Sequence, residues 1–276
     1  MDPVSRALWS IESRLSSEIS LDEIAAASGV SRYHLCRAFG AATGQSVMRY
    51  VRGRRLTEAA RKLAAGAPDI LSLALDWGYG SHEAFTRAFR DHFGLTPEEI
   101  RARRDLTRLP LQEPIRMSTT RSTPLEEPRI ERGRSILVAG LSGRYTFETA
   151  SAIPALWQRF DPYFGNVPGE VGGACYGISY NADDSGFDYM AGVEVKAFEG
   201  LPAELARLRI PEQRYAVFAH RDHVSALPAT FRAIWNDWLP RSGRKVSDGP
   251  AYELYDERFH PETGTGIIEV WVPLKD

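Results

Sequence analysis

Cysteine is nearly absent from this chain of 276 residues, which has only Cys36 and Cys175. Two thiols are too few for a disulfide framework or a thiolate zinc site, so both read as plain thiols in a reducing compartment. Long apolar runs are missing as well, and none approaches the roughly 20 residues that a bilayer-spanning helix needs. The opening "MDPVSRALWS" lacks the basic start and apolar stretch of a secretory signal. The expectation is a cytoplasmic protein with no membrane partner. Phosphate cradles fail on context, since "TGTG" at Thr263–Gly266 and "VPGEVGGACYG" each run into a strand rather than a helix. "HRDH" at His220–His223 has no third close ligand and reads as a surface turn, so neither a metal nor a cofactor is implied. The composition is otherwise that of an ordinary globular chain, 43% hydrophobic and 25% charged, and the length suffices for two cores.

Against this plain background one stretch is written twice. "SRYHLCRAF" begins at Ser31 and "SHEAFTRAF" at Ser81, with Ser31/Ser81, Arg37/Arg87, Ala38/Ala88, Phe39/Phe89 and Gly44/Gly94 identical. Upstream the match continues with one residue removed, through Leu21/Ile70, Ile24/Leu73, Ala25/Ala74 and Gly29/Gly78. Ser20 followed by Glu23 is a capping box, and Leu21, Ile24 and Ala25 share one helical face. Gly29 supplies a positive φ at the helix end, and Ser31 caps a second helix. Leu35, Ala38 and Phe39 then point inward, leaving Arg32, Tyr33, Cys36 and Arg37 outward. In the second copy Phe85, Ala88 and Phe89 point inward and His82, Glu83, Thr86 and Arg87 outward. A short helix, a glycine turn and a helix exposing Arg and small polar groups is the geometry that places a recognition helix in a DNA major groove. Taken singly, each copy is equally a helical hairpin with a solvated charged face. Two in register, bridged by a helix, can enter successive grooves about 34 Å apart.

Charge is unevenly spread. Residues 1–108 carry 16 basic against 13 acidic side chains, and residues 109–276 carry 18 against 23. "RYVRGRRLTEAARK", from Arg49 to Lys62, holds six basic residues and one acid and reads as the bridging helix. Its arginines, Arg49, Arg52, Arg54 and Arg55, are candidates for phosphate contacts, which give affinity without sequence information; the alternative is a solvated face. "TPEEIRARR" signals a last helix, with Thr96 as N-cap, Pro97 in the first turn and Glu99 completing a capping box. From Leu109 the text turns to Pro, Ser and Thr. The expected division is a DNA-binding domain at 1–108, a partly extended linker at 109–127 and a second domain at 128–276.

Beyond the linker the period changes. "SILVAGLSGRY" reads as a strand, "IPALWQRFDPYF" as a helix, and "GACYGISY" and "FDYMAGVEVKAF" as two strands. The order then repeats with "QRYAVFAH", the helix "LPATFRAIWNDWL", and the strands "AYELYDERF" and "GIIEVWVPL". The fold class expected is therefore an all-α N-terminal domain followed by an α+β domain of two strand-helix-strand-strand units. Joined edge to edge, these make an antiparallel sheet with helices on one face and the other face free for a ligand. Alternation along the last two strands, with the apolar set assigned to the helix side, turns Glu253, Tyr255, Glu269 and Trp271 toward the free face. Acids between aromatic rings suit a lipophilic cation. The plainer alternative is a sheet with one ordinary wet face.

The stretches "SLDEIAAASGVSRYHLCRAFGAATGQSVMRYVRGRRL" and "ILSLALDWGYGSHEAFTRAFRDHFGLTPEEIR" resemble the DNA-binding domain of the arabinose-regulator (AraC/XylS) family. The resemblance implies a transcription regulator, read here as an activator that meets double-stranded DNA and RNA polymerase. It also implies base reading by Tyr33, Cys36 and Arg37 in the first motif and by His82, Glu83, Thr86 and Arg87 in the second. Relatives that sense antibiotics and oxidants often have Trp and Gln where this chain has Tyr33 and Cys36, and a Gln pair in place of His82 and Glu83, so the operator is not carried over. Arg37 and Arg87 suit a guanine edge, and Glu83 a cytosine amino group. No dimerisation heptads appear, and a monomer on DNA is expected. "VAGLSGRY", "DYMAGVEV", "YAVFAH" and "YELYDERFHPETGTGIIEVWVP" resemble the GyrI-like effector-binding domain. That likeness implies a small-molecule effector held against a central glutamate, at the position of Glu253. Two other readings of the same domain stay open: a hydrolase of small electrophiles, as some GyrI-like proteins are, and a site for a protein partner.

Overall fold

The computed structural model describes residues 2–67, 69–115 and 125–275. Among these residues the chain divides by contact into two compact units, one of residues 3–32, 47–67 and 69–115 and the other of residues 2, 33–46 and 125–275.

The first unit is helical. Helix α1 (Pro3–Ser13) buries Val4, Ala7, Leu8 and Ile11, an i, i+3, i+4, i+7 stripe. Helix α2 (Leu21–Ser28) starts at the expected capping box, Ser20 with Glu23, and stops at Gly29, whose φ of 72° no β-carbon opposes. Helix α3 (Arg32–Thr43) begins here, but from Tyr33 onward it groups with the other unit. The bridging helix is α4 (Val47–Ala64), and α5 (Ile70–Asp76) and α6 (His82–Phe93) form the second motif. Ser81 caps α6, its side chain accepting from the Ala84 amide, and Gly94 ends it at φ 70°. Helix α7 (Pro97–Arg103) carries the Thr96–Glu99 capping box. The first part of the proline-rich stretch is bound to α4. The Gln112 amide donates to Thr57 Oγ1 at 2.9 Å, and the Ile115 amide donates to the Tyr50 hydroxyl at 3.2 Å. Residues 116–124, the middle of the stretch read as a linker, lie outside the described residues.

The second unit is built on one eight-stranded sheet, antiparallel throughout. Its strands are β1 (Arg129–Gly133), β2 (Ile136–Tyr145), β3 (Glu170–Tyr180), β4 (Phe187–Val195), β5 (Ala206–Ile210), β6 (Gln213–His220), β7 (Ala251–His260) and β8 (Thr265–Leu274), in the order β1-β6-β8-β7-β3-β4-β2-β5. Helix α8 (Ile153–Phe160) follows β2, and α9 (Leu227–Ala233) follows β6. The two expected strand-helix-strand-strand units are therefore present, joined where β7 pairs β3. The flanking strands β1 and β5 were not anticipated. "RIERG" and "ARLRI" set charge where a buried strand sets Val or Ile, which is how an exposed edge is kept from recruiting further strands. Beyond α9 the helix widens into a π turn over Ile234–Trp238 before α10 (Leu239–Ser242). His220 is not on a surface turn. It is 2% exposed and shares hydrogen bonds with Thr230 Oγ1 at 2.8 Å and the His223 carbonyl at 3.1 Å.

Candidate effector site and recognition helices

On the side of the sheet that carries α8, a single carboxylate sits among hydroxyls and rings. Glu253 lies in β7 opposite Gly177 of β3. A β-carbon at Gly177 would strike both the Glu253 carboxylate and the Tyr189 hydroxyl, so a glycine in mid-strand makes the room that they occupy. Tyr189 donates to Glu253 Oε2 at 2.7 Å and Tyr255 donates to the same oxygen at 3.0 Å. Trp157 of α8 donates from Nε1 to the Tyr189 hydroxyl at 3.1 Å, and its ring stands edge-on to Tyr255 at 5.1 Å. Glu253 is 6% exposed and, among the described residues, makes no ion pair. Burial pushes its carboxyl up to about 7, against the two tyrosine hydrogen bonds and the charge of Arg37, all of which favour the carboxylate.

The expectation that Glu253, Tyr255, Glu269 and Trp271 share one face is corrected by the register. Tyr252 stands opposite Trp271, Glu253 opposite Val270, Leu254 opposite Glu269 and Tyr255 opposite Ile268. Directly paired residues project to the same side. Glu253 and Tyr255 are thus on the α8 side, whereas Glu269 and Trp271 lie on the other with Tyr252 and Leu254. Alternation within each strand was read correctly. What failed was the assignment of the apolar set to the helix side, which holds for Ile268 and Val270 of β8 but not for β7, where Glu253 and Tyr255 face α8. Glu269 is also a different kind of glutamate. It is 4% exposed, Arg129 and Arg258 each donate to it at 2.7 Å, and Trp271 Nε1 donates at 3.1 Å. Against its burial, those two guanidiniums hold its carboxyl below the usual value. Its charge is already balanced.

Trp157, Tyr189 and Gly177 complete the Glu253 site and were not singled out from sequence. Trp157 belonged to an apolar helical stripe and Tyr189 to an alternating strand. Nothing local states that the two meet over a glycine.

Helix α6, read as the second recognition helix, keeps one side toward solvent. In α6, Phe85, Phe89 and Phe93 are buried on one face, Glu83 and Arg87 are exposed, and His82 and Thr86 are half-buried. With Arg90 and Asp91 these four line a surface hollow of about 310 Å³. The first copy differs. Tyr33, Cys36 and Arg37, expected outward, are 8%, 3% and 6% exposed. Tyr33 meets Trp235 edge-on at 5.9 Å, and His34 Nε2 shares a hydrogen bond with the Trp235 carbonyl at 2.9 Å. Asn236 Nδ2 donates to the Ala38 carbonyl at 3.2 Å and Arg232 Nε to the Ala41 carbonyl at 3.1 Å. Gly40 faces the Phe147 ring so closely that a β-carbon would overlap it. Burial drives the Tyr33 hydroxyl up and the His34 imidazole down, so both stay neutral.

Of the phosphate candidates, Arg49 and Arg52 are exposed. Arg54 is corrected. It is 4% exposed and grips Glu12 through Nε at 2.9 Å and Nη2 at 3.0 Å, Glu58 at 2.9 Å and the Gln112 carbonyl at 3.0 Å. Arg55 is half-buried and donates to the Leu15 carbonyl at 2.9 Å and to the Ser17 carbonyl. Positive charge at helical spacing shows that a helix is basic, but half of these guanidiniums hold the helix ends and loops beside them.

Residues 126–275 match the family described as GyrI-like small molecule binding domain, and residues 24–103 match a helix-turn-helix domain. The right origin-binding protein of Escherichia coli K12 is 36% identical over 110 residues, 40% of this chain and 38% of that protein. The multiple antibiotic resistance protein MarA of Salmonella typhimurium is 40% identical over 91 residues, 33% of this chain and 72% of that protein. A solved structure described as SAV2435 bound to tetraphenylphosphonium is 19% identical, covers 54% of this chain and 94% of that one, and gives a TM-score of 0.47.

Proposed function

Because the chain belongs to the GyrI-like small-molecule-binding family and carries a match to a helix-turn-helix domain, we propose that it is a DNA-binding transcription regulator, of activator type, that senses a small lipophilic cation at Glu253. The observation that carries the effector reading is the contrast between two buried glutamates. Glu269 is neutralised by Arg129 and Arg258, while Glu253 has only tyrosine hydroxyls as hydrogen-bond donors among the described residues. An entering cation would gain a carboxylate to pair with and the rings of Trp157 and Tyr255 to lie against. On the DNA side, the exposed Arg87 and Glu83 of α6 would meet base edges, and the exposed Arg49 and Arg52 of α4 would meet phosphate. The full reading is a monomer that sets α3 and α6 in successive major grooves and engages RNA polymerase. It requires α3 to be freed first.

Native mass spectrometry of the full chain with tetraphenylphosphonium and other lipophilic cations tests the effector reading. A cation retained intact, and lost on Glu253→Gln, supports it; equal retention by the variant removes Glu253 from the site. One observation favours a second reading. A buried carboxyl held by two tyrosine hydroxyls beside the Trp157 ring, and pushed up to about 7 by that burial, suits general-base work, so the domain would be a hydrolase if a small electrophile left the protein with a changed mass.

A further inference from the structure

Arg37 is a buried cation with an unusual set of neighbours. Its guanidinium carbon lies 5.2 Å from the ring centroid of Phe187 in β4, 5.9 Å from that of Phe231 in α9 and 5.8 Å from that of Trp235 in the π turn. Three rings around one cation form an aromatic cage, the arrangement by which proteins bind organic cations. No carboxylate lies within ion-pair distance of this guanidinium among the described residues. Its charge is instead felt through space by Glu253. Phe187 and Tyr189, two residues apart in β4, project to the same face, so the cage and the Glu253 site adjoin.

We propose that Arg37 is the resident occupant of an aromatic cage that adjoins Glu253 and forms one cation site with it, and that the effectors are planar N–H cations of the guanidinium or amidinium class, which displace Arg37 and so release α3. The inference rests on reading the surroundings of Glu253 as a cation site. The class follows from the shape that the cage already holds. A guanidinium is flat, delocalised and weakly hydrated, and stacks on rings where a compact ammonium stays with its water. The release follows from how α3 is held. Its burial over Tyr33–Gly40 leaves the hydroxyl of Tyr33, Nε1 of Trp235 and Oδ1 of Asn236 without a hydrogen-bond partner among the described residues. Orphaned buried polar atoms raise the free energy of the closed arrangement, and all three recover partners in water once α3 leaves. The Trp235 wall stands in a π turn, a helix irregularity suited to local rearrangement.

Calorimetric titration of the full chain with benzamidinium, in parallel with Arg37→Ala and Glu253→Gln, tests the proposal. A protein that must first expel its own occupant binds more weakly by the fraction of time that the occupant is in place, so Arg37→Ala should bind at least about tenfold more tightly than the parent. Equal or weaker binding by the folded variant overturns the proposal. Hydrogen exchange on the unsubstituted chain supplies a second reading that no misfolded variant can blur. Saturating benzamidinium should speed exchange of the amides of residues 33–43 at least about tenfold; unchanged or slower exchange overturns the release. Glu253-dependent binding of tetraphenylphosphonium without any binding of benzamidinium would refute the planar class and leave the sensor standing. If neither cation binds any of the proteins, the reading of Glu253 as a cation site falls, and the inference falls with it.

Discussion

Helices α3 and α6 share Arg-Ala-Phe and the same position in a repeated motif, yet they end in different surroundings. In α6 the buried residues are Phe85, Phe89 and Phe93, one stripe at a spacing of four, as on any helix with a wet side. In α3 eight consecutive residues, Tyr33 to Gly40, are buried, which no helix with a solvated face can show. The inward sides agree: Phe39 and Phe89 are both 0% exposed. The outward sides diverge through chemistry that the repeat does not share. Tyr33 and His34 offer a ring and a neutral imidazole to Trp235 of the π turn, and Gly40 offers a bare backbone to Phe147, whereas His82, Glu83 and Arg90 of α6 keep charge and polarity in water. A repeated motif thus specifies a repeated core, while each copy meets its own neighbours.

The largest effects test the shared half of that comparison. Phe39→Ala and Phe89→Ala should each cost roughly 3–5 kcal/mol in denaturant unfolding, because each empties a fully buried ring site; a cost under about 1 kcal/mol for either would break the equivalence. Next come the two buried glutamates, Glu253, which feels the charge of Arg37 through space, and Glu269, which is ion-paired with Arg129 and Arg258. The Glu253 carboxyl is raised from 4.5 to about 7, so its contribution to stability is full below about 4.5 and is lost as pH rises through 7. That is a decline on the order of 3 kcal/mol, which Glu253→Gln should abolish. Glu269 is shifted the other way, and its contribution is present above its ordinary value of 4.5 and lost on acidification. Unfolding free energies across pH 4–8 for both Gln variants check the opposite signs. Cation affinity at Glu253 should rise with pH up to about 7 and then level off.

Smaller effects separate the outward faces. On a duplex selected from a random pool, without effector, Arg87→Ala should cost about 1–3 kcal/mol of binding and relax selectivity at one base. Arg37→Ala should cost less than about 0.5 kcal/mol under the same conditions, because a buried arginine reads nothing. Equal losses for the two would mean that α3 is free. The smallest effect concerns α4. Arg52→Ala should weaken all sequences alike and lower the salt slope by about one, and Arg54→Ala should leave that slope intact while lowering thermal stability. A changed slope for Arg54→Ala would return it to the phosphate contacts.

Much of the architecture was legible because it rests on local rules. Capping boxes at Ser20–Glu23 and Thr96–Glu99, glycine stops at Gly29 and Gly94, and the switch from helical to alternating periodicity mark their elements without reference to anything distant. Helix α1 carries the same local signal in Val4, Ala7, Leu8 and Ile11, although it lies outside the repeat. The edge strands β1 and β5 were hidden by their charge. The candidate site was half legible. Glu253 and Tyr255 stood out as an acid beside a ring, but Tyr189, Trp157 and Gly177 reach them from other elements. Glu269 and Trp271 looked equivalent until the β7–β8 register put them on the opposite face.

The sequence by itself determined which segments become helix or strand, where they start and stop, and which side of each is apolar, since these depend on neighbours within a few residues. Only the tertiary structure decided which glutamate makes no ion pair among the described residues, which arginines are consumed by ion pairs inside the protein, and that eight consecutive residues of α3 are buried. Those outcomes depend on cross-strand register and on contacts between residues far apart in the chain, such as His34 and Trp235, 201 positions apart. No local pattern encodes a distance of that kind, because the free energy that fixes it belongs to the assembled core.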